Sequence, residues 1–400
     1  MTNIMLAQFP AAPDKQVTLA NWRTSPFNKW AFHHVREIVP SAEIANDPVS
    51  EQSLEIESQD LTGLSFVDQT GKSWAFNEFV AETDTDALVV LKNGKLIYEY
   101  YANGMDAASP HILMSVSKSL LGLLFGILDS RGVLDPECPV TDIIPEINTT
   151  AYAGATLRHL LDMRAGIHFD EDYLATSGAI IDYRKATNWN PLEPGEATTN
   201  LRSFYHSLLE RDGAHGRSFH YVSPNTDLLG WAIERASGKP FAELMSELFW
   251  RPMGATRSAY VTVDRLGAPR VAGGVCTTAR DLALVGQLLV DGGARNGATI
   301  IPKNWISDIA EAGDQKAWER GKFALMFPGL AMHYRTKWYV ERSGGGSGPL
   351  LFGVGVHGQN LFVDSKKQLV IAKFSSQAMP LDDRLIRLTS NWVAAMRTTF

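Results

Sequence analysis

Ser115-Val116-Ser117-Lys118-Ser119-Leu120-Leu121 opens the stretch on which the reading of this chain turns. Leu120, Leu121, Leu124, Ile127 and Leu128 recur at three- and four-residue spacing, and Gly132 follows as a stop signal. The run therefore predicts an amphipathic helix. A serine in its first turn and a lysine three residues later share one helix face. Serine is a poor nucleophile until a base comes within hydrogen-bond reach. Lysine serves as that base only when its pKa falls, and both burial and the positive end of the helix dipole push it down. The helix start also leaves backbone N–H groups free to meet a developing oxyanion. The bland alternative is a serine N-cap beside a solvated lysine. Against it, this is the only Ser-x-x-Lys in the chain, and lysine is unfavourable at a helix N-terminus without another reason to be there.

Composition narrows the classes. The chain has 400 residues, 45% of them hydrophobic, enough for one large domain or two lobes. Its net charge of −7 and lack of a basic cluster argue against nucleic acid or an anionic membrane as partner. Two cysteines, Cys138 and Cys276, make a disulfide framework improbable and a reducing compartment plausible. The first residues lack a basic stretch followed by an apolar one, so a secretory signal is not expected and a cytoplasmic location is. Leu120–Leu128 is too short to span a bilayer. No His-Glu-x-x-His, His-x-His or Cys-x-x-Cys occurs, so neither a metal nor a cofactor is expected. No Gly-x-Ser-x-Gly elbow occurs, which removes an α/β-hydrolase reading.

The chain reads as an N-terminal arm over 1–30 and an α/β region with an antiparallel sheet over 31–112 and 255–400. A mostly helical region over 113–254 is inserted, with the site between the two. The fold class is α+β. A helix is predicted over about Lys29–Glu37. Ala87–Tyr101 predicts a hairpin, since Asn93-Gly94 favours a type I′ turn. Asn360–Val363 and Leu369–Phe374 predict a second. Thr156 caps a helix running to Met163. Asn225 or Thr226 starts one that ends at Gly238, Thr278 caps Ala279–Val290, and Leu381–Thr399 closes the chain. Ser343-Gly344-Gly345-Gly346-Ser347-Gly348 reads as a connector, with an active-site rim as the minor option and no phosphate-cradle context.

A Ser–Lys pair also needs a proton route to the leaving group. Tyr221, on a loop before a helix, is the candidate, provided cations lower its pKa. A core or rim tyrosine is the alternative. Cys276 reads as a small buried hydrophobe, and His357 either lines the pocket or packs beside a strand.

Several strings then carry a family resemblance. They are Met114–Ser119; Thr156-Leu157-Arg158-His159-Leu160-Leu161-Asp162-Met163; Tyr221-Val222-Ser223 with Leu229–Glu234 and Ser237-Gly238; and Gly273-Gly274-Val275 with Thr278–Leu282. Together they resemble the serine hydrolases related to class C β-lactamases and DD-peptidases. Arg23–Phe32, Glu171-Asp172-Tyr173 and Val354–Leu361 bring the chain nearest the nylon-oligomer hydrolase and carboxylesterase branch. The resemblance covers most of the chain, from about residue 20 onward.

It implies a β-lactamase/transpeptidase-like fold and a small-molecule ester or amide substrate. It implies Ser115 as acylated nucleophile, Lys118 as base and Tyr221 as proton shuttle. The N–H groups of Ser115 and Val356 would form the oxyanion hole, with Tyr173 overhanging the substrate. Ser223, Arg184, Ala272 and His357 are the remaining candidate substrate contacts. The oligomeric state stays open, with a homodimer among the options.

Two departures matter. Where β-lactamases carry Lys-Thr-Gly, this chain has Gly353-Val354-Gly355, or His357-Gly358 in another register, which speaks against β-lactams and D-alanyl peptides. Arg184 stands where efficient nylon-oligomer enzymes carry an aspartate for the substrate ammonium, and Ala272 where they carry a polar residue. Esters are therefore expected to outrank the linear amide dimer, provided Arg184 faces the pocket rather than solvent. A catalytically silent binding protein is the rival from another class.

Overall fold

The computed structural model describes Met5 and residues 9–342 and 348–400. Alternation along the strands builds a seven-stranded antiparallel sheet. Its strands, in chain order, are β1 (Thr85–Lys92), β2 (Lys95–Tyr101), β3 (Met332–Arg335), β4 (Trp338–Glu341), β5 (Leu350–Gly355), β6 (Gln359–Asp364) and β7 (Leu369–Ser375). Their spatial order is β3-β4-β5-β6-β7-β1-β2, so strands from both ends of the sequence share one sheet. Asn93 and Gly94 both have positive φ, 51° and 76°, as a type I′ hairpin needs. The second predicted hairpin forms as β6 and β7.

Period-two alternation sorts the side chains into two cores. Val89 and Leu91 face a core shared with helices α1 (Val116–Ser130) and α3 (Ala279–Val290). Leu88 and Val90 face the other side, where α4 (Asp383–Thr399) lays down Leu385, Leu388 and Trp392. Between β2 and β3 in sequence lie α1, α2 (Ser223–Ser237) and several short helices, then α3. A smaller four-stranded sheet joins Ser41–Ile44, Ala259–Thr262, Val275–Thr277 and His111–Ile112 in that order. Its last strand feeds directly into α1. This is an α+β fold with antiparallel sheets flanked by helices.

Local departures from the sequence reading have tertiary causes. The helix expected over Lys29–Glu37 is broken into a turn at Asn28–Ala31 and a 3-10 turn at Val35–Glu37. Phe32 and Val35 are pulled into a small core with Trp22 and Trp189. The described residues 9–27 make turns where the sequence suggested an extended arm, and Val17, Leu19 and Trp22 pack on that core. The Trp22 indole donates to the Trp189 carbonyl at 3.1 Å. α2 begins at Ser223, ahead of Asn225, because Pro224 suits the first turn. Asn225 is diverted to accept a bond from the Tyr152 hydroxyl at 2.9 Å. Thr156, Thr278 and Asp382 do cap their helices. Of the glycine-rich stretch, residues 343–347 lie outside the described residues.

Candidate active site

The N-terminal end of α1 approaches β5 closely because the strand residues that face it, Gly353 and Gly355, have no side chains. A Cβ on Gly353 would lie 2.9 Å from Ser119 Oγ, and one on Gly355 would lie 2.6 Å from the Leu113 carbonyl. The first turn of α1 therefore seats against the strand. Met114, just before it, has φ of 45°, in the left-handed region that a long side chain rarely adopts. That turn swings the chain out of the small sheet and sets Ser115 at the helix start. Strain held at such a position is common where a reactive group must be aimed.

Ser115 occupies the N-cap position but makes no capping bond. Its hydroxyl instead lies 2.7 Å from Lys118 Nζ. Lys118 is 1% exposed, so the solvated-lysine alternative is excluded. Nζ donates to the Ala272 carbonyl at 2.7 Å. Burial pushes the lysine pKa down to about 7; Glu171 and Asp227 pull it up, and Arg270 opposes them. A neutral amine can give one hydrogen to Ala272 and turn its lone pair to the serine proton. Tyr221 packs against the same amine, with Lys118 Nζ 4.9 Å from the centroid of its ring.

Tyr221 corrects one expectation. Its pKa is raised, not lowered by cations: burial acts first and Glu171 second, overriding Arg270. The group stays a neutral hydroxyl that can both accept and donate.

A cavity of about 420 Å³ opens over Ser115. Val356, Tyr173, Ser223, Arg184, Ala272 and His357 all line it. Val356 begins the turn after β5. Among the described residues, neither its N–H nor that of Ser115 donates to a protein acceptor. Arg184 does face the cavity, and donates to the Tyr173 carbonyl at 2.9 Å. His357 Nδ1 bonds the Gln377 carbonyl at 2.7 Å, and burial pushes its pKa down to about 4, so the ring is neutral. Ser223 is less available than its position suggested. Its hydroxyl and its N–H both bond the Glu171 carboxylate, which also accepts from the Tyr173 hydroxyl at 2.9 Å.

Sequence reasoning passed over the support behind Lys118. Asp227 is fully buried in an ion pair with Arg270 and also accepts from the Tyr183 hydroxyl. Its other oxygen accepts the Ala272 N–H at 2.7 Å. One carboxylate thus fixes the peptide whose carbonyl holds the lysine. These partners lie 43 and more residues apart along the chain, with no local pattern to reveal them. Glu171 was visible only as part of a family-like string. Cys276 is buried, as expected of a small hydrophobe.

A serine–lysine pair at a helix start beside an antiparallel sheet defines a class of acyl-transfer enzyme. The chain belongs to the β-lactamase family, whose sequence model matches residues 75–396. Within it, the chain is 33% identical to the 6-aminohexanoate-dimer hydrolase of Paenarthrobacter ureafaciens over 376 residues, covering 94% of this chain and 92% of that one. Esterase EstB of Burkholderia gladioli is 28% identical over 189 residues, 44% of this chain and 47% of that one. A Bacillus anthracis structure assigned the 6-aminohexanoate-dimer hydrolase name superposes with a TM-score of 0.86 at 26% identity, covering 97% of this chain and 98% of that one. A family VIII carboxylesterase shares the fold, at a TM-score of 0.58 and 16% identity, covering 80% of this chain and 95% of that one. The protein is a serine hydrolase. No helix among the described residues is long and apolar enough to cross a membrane.

Proposed function

We propose that this serine hydrolase cleaves small carboxylic esters, and linear amides of the 6-aminohexanoate-dimer type less readily, through an acyl intermediate on Ser115. The observation that carries this reading is the 2.7 Å contact between Ser115 Oγ and a buried Lys118 amine. Above pH 7 the amine is neutral and takes the serine proton as Oγ bonds the substrate carbonyl carbon. The carbonyl oxygen, now anionic, is met by the free N–H groups of Ser115 and Val356. The bond to the leaving group breaks as Tyr221 hands it a proton, and Tyr221 regains one from the relay that Lys118 has charged. Water then enters by the reverse route and releases the acid.

Ser115→Ala tests it. The variant should fold, yet lose ester hydrolysis by orders of magnitude and escape a fluorophosphonate probe that labels the native protein. Retention of more than about a tenth of native kcat would overturn the nucleophile assignment. An unlabelled native protein with no turnover would favour a silent binding protein. A panel of p-nitrophenyl esters, 6-aminohexanoate dimer and a chromogenic cephalosporin ranks the substrate classes.

A further inference from the structure

The cavity wall holds more positive charge than it needs. Arg23, Arg184 and Arg270 line it, and Glu171 is the only carboxylate among the described residues that does. Arg270 is paired with Asp227 and donates to the Tyr183 hydroxyl, although its Nε finds no acceptor. Glu171 is taken by Ser223 and Tyr173. Among the described residues, neither Arg23 nor Arg184 has a carboxylate within ion-pair distance.

Arg23 donates to Asn190 Oδ1 at 2.5 Å, while its buried Nε finds no acceptor. Its guanidinium carbon lies 5.6 Å from the Trp22 ring and 5.7 Å from that of Trp189, so aromatic rings hold it in place. Arg184 spends one nitrogen on a backbone carbonyl. The neutral ring of His357 borders the same cavity and adds no charge. Burial, then Arg184 and Arg270, hold the Arg23 pKa below the usual arginine range, so the guanidinium is uncomfortable as it stands. A partly buried guanidinium without a carboxylate partner is poorly compensated, and a carboxylate meets its donors in a two-pronged fit. β5 offers no cation at Gly353-Val354-Gly355; these arginines bring charge to the cavity from the N-terminal segment and from the helix Ala179–Ala186.

We propose that Arg23 and Arg184 form a carboxylate subsite, so that preferred substrates are small esters or amides carrying a free carboxylate near the scissile group. The proposal rests on the acyl-Ser115 reading for the word substrate, but not for the binding of an anion.

Two ester pairs test it and separate the two sides of the scissile bond. Mono-p-nitrophenyl glutarate against p-nitrophenyl butyrate places the carboxylate on the acyl side. 6-Acetoxyhexanoate against hexyl acetate places it on the alcohol side. The native enzyme should favour the charged member of at least one pair by about tenfold or more in kcat/KM, and Arg23→Gln and Arg184→Gln should each cut that ratio about tenfold. Arg23→Lys, which keeps the charge but not the fork, should fall between native and Arg23→Gln. It also serves if the glutamine variant does not fold. Adipate titrated calorimetrically into Ser115→Ala protein should bind, and should bind about tenfold more weakly once Arg23→Gln is added, with Arg23→Lys in between. Turnover of neutral esters without charge preference and without adipate binding overturns the subsite and leaves the hydrolase. Adipate binding that depends on Arg23, with no ester turnover, overturns the hydrolase reading and leaves the subsite.

Discussion

Glu171→Gln should move the acid limb of the pH–rate profile to lower pH. In the native enzyme kcat/KM for a neutral ester should rise with the fraction of neutral Lys118, turning over near its pKa of about 7. At one unit below that, about a tenth of the plateau rate should remain. The sign for the variant follows from the charge. Glu171 is the largest charge effect on Lys118, and it favours the ammonium. Removing that charge disfavours the ammonium, so the amine stays neutral to lower pH. Glutamine keeps an oxygen for the Ser223 and Tyr173 hydroxyls and gives up the acceptor that the Ser223 N–H uses. One charge at an effective dielectric of about 20 is worth on the order of 1–3 kcal/mol at such range, and 1.36 kcal/mol is one pH unit, so the limb should shift down by about one unit. Asp227 and Arg270 also act on Lys118, with opposite signs, and both stay in place. The assay is initial rate against p-nitrophenyl acetate at constant ionic strength, read at the isosbestic wavelength of the product. A limb that stays put, or moves up, would refute the role of a buried lysine whose charge state is set by this wall.

Lys118→Ala and Tyr221→Phe should each depress kcat strongly, while the double variant loses little beyond the worse single one, since groups in one relay are not additive; additive losses in the cycle would break the shared relay. Arg184→Asp with Ala272→Asn should raise 6-aminohexanoate-dimer turnover relative to ester turnover, because a carboxylate replaces a cation that repels the substrate ammonium; an unchanged ratio, read by product chromatography, would count against it. Gly353→Val should cost about 1–3 kcal/mol in denaturant unfolding, because overpacked side chains force backbone shifts. The added atoms would press on Ser119 and Val116. A midpoint equal to native would mean that α1 and β5 do not need their close approach.

What could be read from the sequence was local. Asn93-Gly94, Thr156 and Thr278 act through neighbours a few residues away, and each did what its position predicts. Ser115 and Lys118 lie one turn apart, so their meeting was legible too. The Lys29–Glu37 helix failed because Phe32 and Val35 gain more from joining Trp22 and Trp189 than from continuing a helix. The rise in the Tyr221 pKa depends on burial and on Glu171, which approaches from a distant loop. Asp227, Arg270 and Tyr183 look unremarkable in sequence, and only the fold turns them into one buried cluster. Met114 gives no hint of its positive φ, which glycine or asparagine would have advertised.

Residue 272 holds Lys118 through its carbonyl and Asp227 through its N–H, so the link is made by the peptide and not by the side chain. Any residue that preserves that backbone preserves the link, while its side chain remains free to face the substrate. Position 272 is thus a place where selectivity can drift during evolution with the chemical step left untouched. A library confined to side chains there would explore new substrates without disturbing the amine proposed as the base.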